Sequence, residues 1–326
     1  MELTLSQLKS ITLGTLEICA EEDGFHFYRM TPAQAAAFAQ ANATFAPKCL
    51  ATSGVRLDFY TDSSQFSLSW HKALTTTRKI LYFDVLVDGD LALQCGTNDC
   101  SVRKDGGFSL SLPEGTHHLQ VFFPTLTVPV IRSVTLDDGA SIIPHTPAKR
   151  ILIHGDSITQ GYDAKHPSAC YASLLARHYD AELLNQAVGG ACFNPEVVEH
   201  VGTFDFVLVS YGSNDWSKKD ATAFKADAVA FMDRLNELYG HIPRFYVLPV
   251  WRGDINEKPN TAGDFMECRQ ILKQIAISHG IQPLDDFDIL PHDTHLLSDG
   301  YLHPNDQGFV PYAEKVIALL SPYLSN

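Results

Sequence analysis

The chain has 326 residues, of which 45% are hydrophobic and 19% charged, with a formal net charge of −14. That length favours two cores over one, and the composition is that of a globular protein. The acidic balance and the lack of any Lys/Arg run exclude a nucleic-acid footprint, which needs cations to neutralise phosphates.

The first residues, MELTLSQLKSITLG, lack the basic and apolar regions of a secretory leader, and no apolar run is long enough to span a bilayer. Cys19, Cys49, Cys95, Cys100, Cys170, Cys192 and Cys268 are odd in number and form no CxxC pair. A reducing, cytoplasmic setting is therefore expected, with no membrane partner.

Residues 55–136 alternate with a period of two. Val55, Leu57 and Phe59 point one way, as do Phe83, Val85 and Val87, and then Leu119, Val121 and Phe123. Turn signals separate these runs at 88–89, 105–107, 113–115 and 137–139. Short alternating strands with regular turns predict an antiparallel β-sandwich, jelly-roll-like, over residues 1–146. One helix interrupts it early: Thr31 caps, Pro32 takes the first position and AQAAAFAQ forms the body.

The stretch SIIPHTPAKR (141–150) reads as a linker. Beyond it, apolar strand-like runs alternate with helical periodicity: ILIHG, LLNQAV, FDFVLVSYG, RFYVLPV and IQPLDDF, with helices between. This rhythm predicts an α/β domain over 147–326, a parallel sheet flanked by helices in the flavodoxin-like manner. Ligands of such folds bind beyond the carboxyl ends of the strands.

Those ends carry the chemistry. HGDSITQG places Ser157 after the first strand, between Gly155 and Gly161. NQAVGGACF follows the second, YGSNDW the third, and SDGYLHPND the fifth. A hydroxyl nucleophile, an imidazole base and candidate oxyanion donors thus gather at one sheet edge, the set that acyl transfer requires.

These blocks resemble the SGNH (GDSL-type) hydrolase superfamily over roughly residues 150–326. The resemblance implies an SGNH hydrolase fold with Ser157 as nucleophile and His303 as base. It implies an oxyanion hole from the Ser157 and Gly190 amides and the Asn214 side chain. One block departs from the pattern: the family's Asp stands three residues before its His, where this chain has Gly300, and Asp299 stands four before. Either a one-residue bulge lets Asp299 reach the ring, or a main-chain carbonyl orients it in a Ser–His dyad. The dyad is known in members with an N-terminal β-sandwich, notably carbohydrate esterase family two.

Asp156, Trp216, Trp251 and Arg252 adjoin these strand ends and are candidate substrate contacts. Asp215 reads as orienting the loop of Asn214, and Asn185 as capping a strand end rather than contacting substrate. His292 and His295 resemble a metal pair without a third ligand, and no metal or cofactor is expected. The expected reaction is hydrolysis of a short acyl ester, acetyl on a saccharide foremost. Lipase or lysophospholipase activity, acyl transfer to a sugar, and a saccharide-binding protein with an inactive hydrolase domain are the alternatives. The expected partner is a small-molecule or oligosaccharide ester.

Overall fold

The computed structural model describes residues 1–101, 105–258 and 260–324. In the N-terminal half, two antiparallel sheets face each other. One is ordered Thr12–Leu13, Arg56–Thr61, His117–Phe122, Leu81–Val87 and Asp90–Thr97. The other is ordered Glu17–Glu21, Gly24–Tyr28, Thr127–Leu136, Gln65–Thr75 and Gly106–Ser111. Leu57, Phe59, Phe66, Trp70, Phe83 and Val121 fill the space between them.

The predicted helix is present as Pro32–Ala41, with Thr31 and Gln34 forming a reciprocal capping box. It does not belong to the sandwich. Phe38 and Phe45 share an apolar cluster with Leu152, Val188 and Phe193 of the C-terminal half.

Two expectations need correction. The strand Arg56–Thr61 does not alternate buried and exposed, because its outer face is covered as well. Buried Arg56 pairs with buried Asp58 at 2.7 Å and donates to the Ala181 carbonyl at 2.9 Å. Asp84, also buried, accepts from the Ser168 amide at 2.9 Å and from its hydroxyl at 2.6 Å. Polar residues on the sandwich's outer face are thus satisfied by the other half, as buried polar groups must be. The expected linker is also shorter: Ile143–Pro144 pairs with Tyr60 and Phe59, and Lys149 already begins the next strand.

The C-terminal half carries five parallel strands, in space Ala181–Asn185, Lys149–Gly155, Phe206–Ser210, Arg244–Val247 and Gln282–Leu284. Numbered along the chain, the order is 2-1-3-4-5, the flavodoxin-like arrangement. Helices Tyr171–His178 and Asp306–Leu320 pack together over one face. Helices Ala221–Tyr239 and Phe265–Ser278 pack together over the other. Phe224, Ala228, Phe231 and Leu235 recur at helical spacing and are buried, with Leu238 partly buried beside them.

Candidate active site

The strand Lys149–Gly155 ends in a turn that only particular residues can make. A Cβ on Gly155 would lie 2.4 Å from Thr159 Oγ1 and 2.9 Å from the Ser210 carbonyl oxygen, so the position admits only glycine. Asp156 then caps a one-turn helix, Ser157–Gln160, its side chain accepting from the Ile158 amide at 3.3 Å. Gly161 closes the turn at φ +93°, a left-handed conformation suited to glycine. As first residue of that helix, Ser157 has no intrahelical acceptor for its N–H.

The Ser157 hydroxyl lies 2.8 Å from His303 Nε2. His303 Nδ1 lies 2.6 Å from Asp299 Oδ2. The four-residue spacing is therefore compatible with contact, by a specific device. Gly300 adopts φ +79°, and Asp299 Oδ1 accepts the backbone N–H groups of Tyr301, Leu302 and His303 at 3.0, 2.8 and 3.1 Å. The side chain folds back over its own loop and meets the ring. Of the two possibilities left open by the sequence, the carboxylate rather than a carbonyl faces Nδ1.

Burial pushes the Asp299 carboxyl up, but hydrogen bonds from His303 and from the Leu302 and Tyr301 amides outweigh it and hold it well below the usual range. An ionised Asp299 can only accept, so Nδ1 carries the proton and Nε2 is free to accept from Ser157.

The glycine loop and Asn214 are tied directly to this turn. Gly189 N–H donates to Gln160 Oε1 at 2.7 Å, and Asn214 Nδ2 donates to Asp156 Oδ2 at 3.1 Å. Gly190 stands at φ +87°. Asp215 is buried and holds the neighbouring loop through the Phe193 amide at 3.0 Å and Lys219 at 2.8 Å. Asn185, likewise buried, donates to the Thr159 carbonyl at 2.8 Å and accepts from the Ala187 amide at 3.0 Å.

The candidate substrate contacts fare differently. Asp156 is interior, committed to Ile158 and Asn214, and burial raises its carboxyl to about 6. Trp216 is 1% exposed, with Nε1 bonded to the Gly263 carbonyl and its ring edge-on to Phe265, so it is a core residue. Arg252 is buried and paired with Asp254. Trp251 is partly exposed and stacks on His292 at 4.2 Å. Among the described residues, His292 and His295 gather no third metal-capable side chain.

Four residues escaped the sequence reading. Asp163 Oδ2 lies 3.7 Å from His303 Nδ1, and Arg78, from the sandwich half, grips the Asp163 carboxylate at 2.5 and 3.2 Å. Tyr162 bonds Thr77 and stacks obliquely near His303, with ring centroids 5.7 Å apart. Lys48 reaches the Gly189 carbonyl at 2.5 Å. Their signal lies in contacts between distant segments, which a single sequence does not display. A cavity of about 400 Å³ opens beside Gly190, walled by Phe38, Asn42, Phe45, Phe193 and Lys218.

Residues 153–309 match the family described as GDSL-like lipase/acylhydrolase. Salicylyl-acyltransferase SsfX3 from a tetracycline biosynthetic pathway has a similar structure, with TM-score 0.80 at 23% identity over 95% of this chain and 93% of that one. A putative GDSL-like lipase from Bacteroides ovatus gives 0.76 at 18% over 99% and 97%. An acetyl xylan esterase from Butyrivibrio proteoclasticus gives 0.61 at 12% over 98% and 97%. No curated protein matches in sequence. The family match falls on the segment that carries Ser157, Gly190, Asn214 and His303, and the parallel-sheet half of this chain is a hydrolase domain of the GDSL (SGNH) family.

Proposed function

We propose that the chain is a serine esterase that removes short acyl groups, acetyl foremost, from a saccharide. Ser157 attacks the ester carbonyl while His303 takes its proton, and Asp299 holds the imidazole and stabilises its positive charge. Charge forming on the carbonyl oxygen is met by the Ser157 and Gly190 N–H groups and the Asn214 amide. His303 then protonates the leaving alcohol, and water repeats the sequence to free the acid.

The observation that carries this reading is the continuous chain Ser157–His303–Asp299, with links of 2.8 and 2.6 Å. The cavity beside Gly190 supports a saccharide: Phe45 offers an apolar face, and Asn42 and Lys218 a polar edge. Residues 1–146 act in this reading as a sandwich that also walls the cleft. Cys19, Cys49, Cys100, Cys170, Cys192 and Cys268 are free thiols, which supports a reducing compartment.

The test is hydrolysis of 4-nitrophenyl acetate, longer-chain esters and an acetylated xylan by the wild type and Ser157→Ala. Acetate should be preferred, and the variant should be inactive. Equal rates for the two proteins would remove the assignment. Acyl transfer is the second reading, favoured by the high similarity to an acyltransferase. An added sugar alcohol that diverts the acyl group from water into a new ester would establish it.

A further inference from the structure

Lys48 is a buried cation. It is 7% exposed, and among the described residues it forms no ion pair. Its ammonium group lies over the rings of Phe45 and Tyr162, 5.0 and 5.7 Å from their centroids. Burying a charge this way is costly, and a methionine of similar length would fill the space without that cost. The charge therefore needs a purpose.

Its hydrogen-bond acceptor supplies the purpose. Lys48 Nζ donates to the Gly189 carbonyl at 2.5 Å. That carbonyl and the Gly190 N–H are two ends of one peptide group. A cation on the oxygen polarises the peptide and makes the N–H at the other end a stronger donor. The surroundings pin the peptides on either side of it. Gln160 takes the Gly189 N–H at 2.7 Å and returns a bond to the Lys48 carbonyl at 3.1 Å. Lys218 Nζ takes the next carbonyl, that of Gly190, at 2.7 Å. Both ammonium groups lie 3.8 Å from the point where a Cβ on Gly190 would stand, so two positive charges flank one N–H.

We propose that Lys48 is a positioning residue of the oxyanion site: its ammonium group orients and polarises the Gly189–Gly190 peptide toward the negative charge that forms on the substrate carbonyl oxygen. This rests on the role given to Gly190 in the proposed function. It also makes the N-terminal half part of the catalytic apparatus, because Lys48 belongs to the segment Ala46–Cys49.

A readout other than rate follows from its surroundings. Burial, together with Lys218 and Arg78, lowers Lys48 to about 8, against a smaller opposing effect of Cys49. Cys49 itself is raised to about 11, Tyr162 is raised by burial, and Arg78 is held charged by Asp163. Of these shifted groups, Lys48 is the one that changes charge just above neutral pH.

The experiment is 4-nitrophenyl acetate hydrolysis from pH 6 to 10, with thermal melts, for the wild type, Lys48→Met, Lys48→Gln and Ser157→Ala. Wild-type kcat should fall above about pH 8, as the ammonium loses its proton. Lys48→Met should lose about 10- to 100-fold in kcat, less than the about 10²–10³ lost when a donor is deleted outright. Its KM should stay within about threefold. It should melt close to the wild type, since losing an unpaired buried charge offsets leaving the Gly189 carbonyl without its donor. Lys48→Gln keeps a donor without the charge and should lose the alkaline fall as well, which keeps the test available if the Met variant folds poorly. The proposal is overturned if either variant keeps the alkaline fall, or if Lys48→Met keeps more than half the wild-type kcat. Activity surviving in Ser157→Ala would instead reject the esterase mechanism on which the proposal rests.

Discussion

Replacing Asp299 by Asn probes the contact that the sequence spacing left in question. The carboxylate lies 2.6 Å from His303 Nδ1 and carries full charge, held by its hydrogen bonds to the ring and backbone. With charge centres about 4 Å apart and an effective dielectric near 20, it stabilises the imidazolium formed during attack by about 4 kcal/mol. That energy is worth about three decades in rate. The substitution adds a second penalty. An Asn amide turned toward Nδ1 donates to it, which moves the ring proton to Nε2 and leaves nothing to accept from Ser157. In a hydrolase where this change was made, turnover fell about 10⁴-fold. Asp163 cannot take over, since its nearer oxygen stands 3.7 Å away and its carboxylate is gripped by Arg78. The expected loss in kcat for 4-nitrophenyl acetate is therefore about 10³–10⁴, with KM little changed. Asn keeps the oxygen that accepts from Tyr301, Leu302 and His303, so circular dichroism and melting should stay close to wild type. A loss of less than tenfold would refute the reasoning and leave a Ser–His dyad.

Asp156 gives a pH-dependent expectation. Burial raises its carboxyl to about 6, so the folded state holds the proton more tightly than the unfolded chain, and stability falls as pH rises from about 4 to about 6, by about 3 kcal/mol. Urea titrations of Asp156→Asn should show its stability, relative to wild type, improving by about 2 kcal/mol between pH 4.5 and 7.5; a difference independent of pH counts against the buried charge. Arg29 is fully buried and donates to the carbonyls of Lys48, Ala51, Asn185 and Ala187 at 2.6–2.9 Å. Arg29→Ala takes a donor from all four, and apart from Lys48, whose carbonyl keeps Gln160, each loss costs about 1–3 kcal/mol, so unfolding in urea should show at least about 3 kcal/mol of lost stability, and a loss under about 1 kcal/mol would contradict that accounting.

The parallel sheet was legible because its information is local. Each strand is an apolar run, each helix a stripe, and the turn at Gly155–Ser157 needs small residues in fixed order. The same locality exposed Ser157 and His303. What stayed hidden depends on approach between distant segments. Trp216 beside Asn214 looked like a pocket wall, but only the packing of Phe265 against it reveals a core position. Arg56 and Asp58 broke the strand's alternation for a reason that lies 125 residues away, at the Ala181 carbonyl. Asp299 was ambiguous for a different cause: one residue of offset is decided by whether Gly300 turns left-handed, and glycine permits both hands.

The position of Arg29 and Lys48 bears on why the sandwich half precedes the hydrolase half at all. A flexible loop presenting an N–H to a developing oxyanion would spend part of its time aimed elsewhere, and each lost alignment weakens stabilisation that must be organised before reaction. Here residues 185–190 are fastened from outside the sheet. Arg29 holds the Asn185 and Ala187 carbonyls, Lys48 the Gly189 carbonyl, and Arg29 also grips the carbonyl of Lys48 itself. Arg29 follows the sandwich strand Gly24–Tyr28 directly, so its location is set by that sheet. Docking of the two halves through Arg56, Asp58 and Asp84 fixes the sandwich against the hydrolase sheet. The stiffness of the sandwich is thereby transmitted to the loop that carries Gly190, and a substitution in the docking surface should lower kcat before it alters the sheet that bears Ser157.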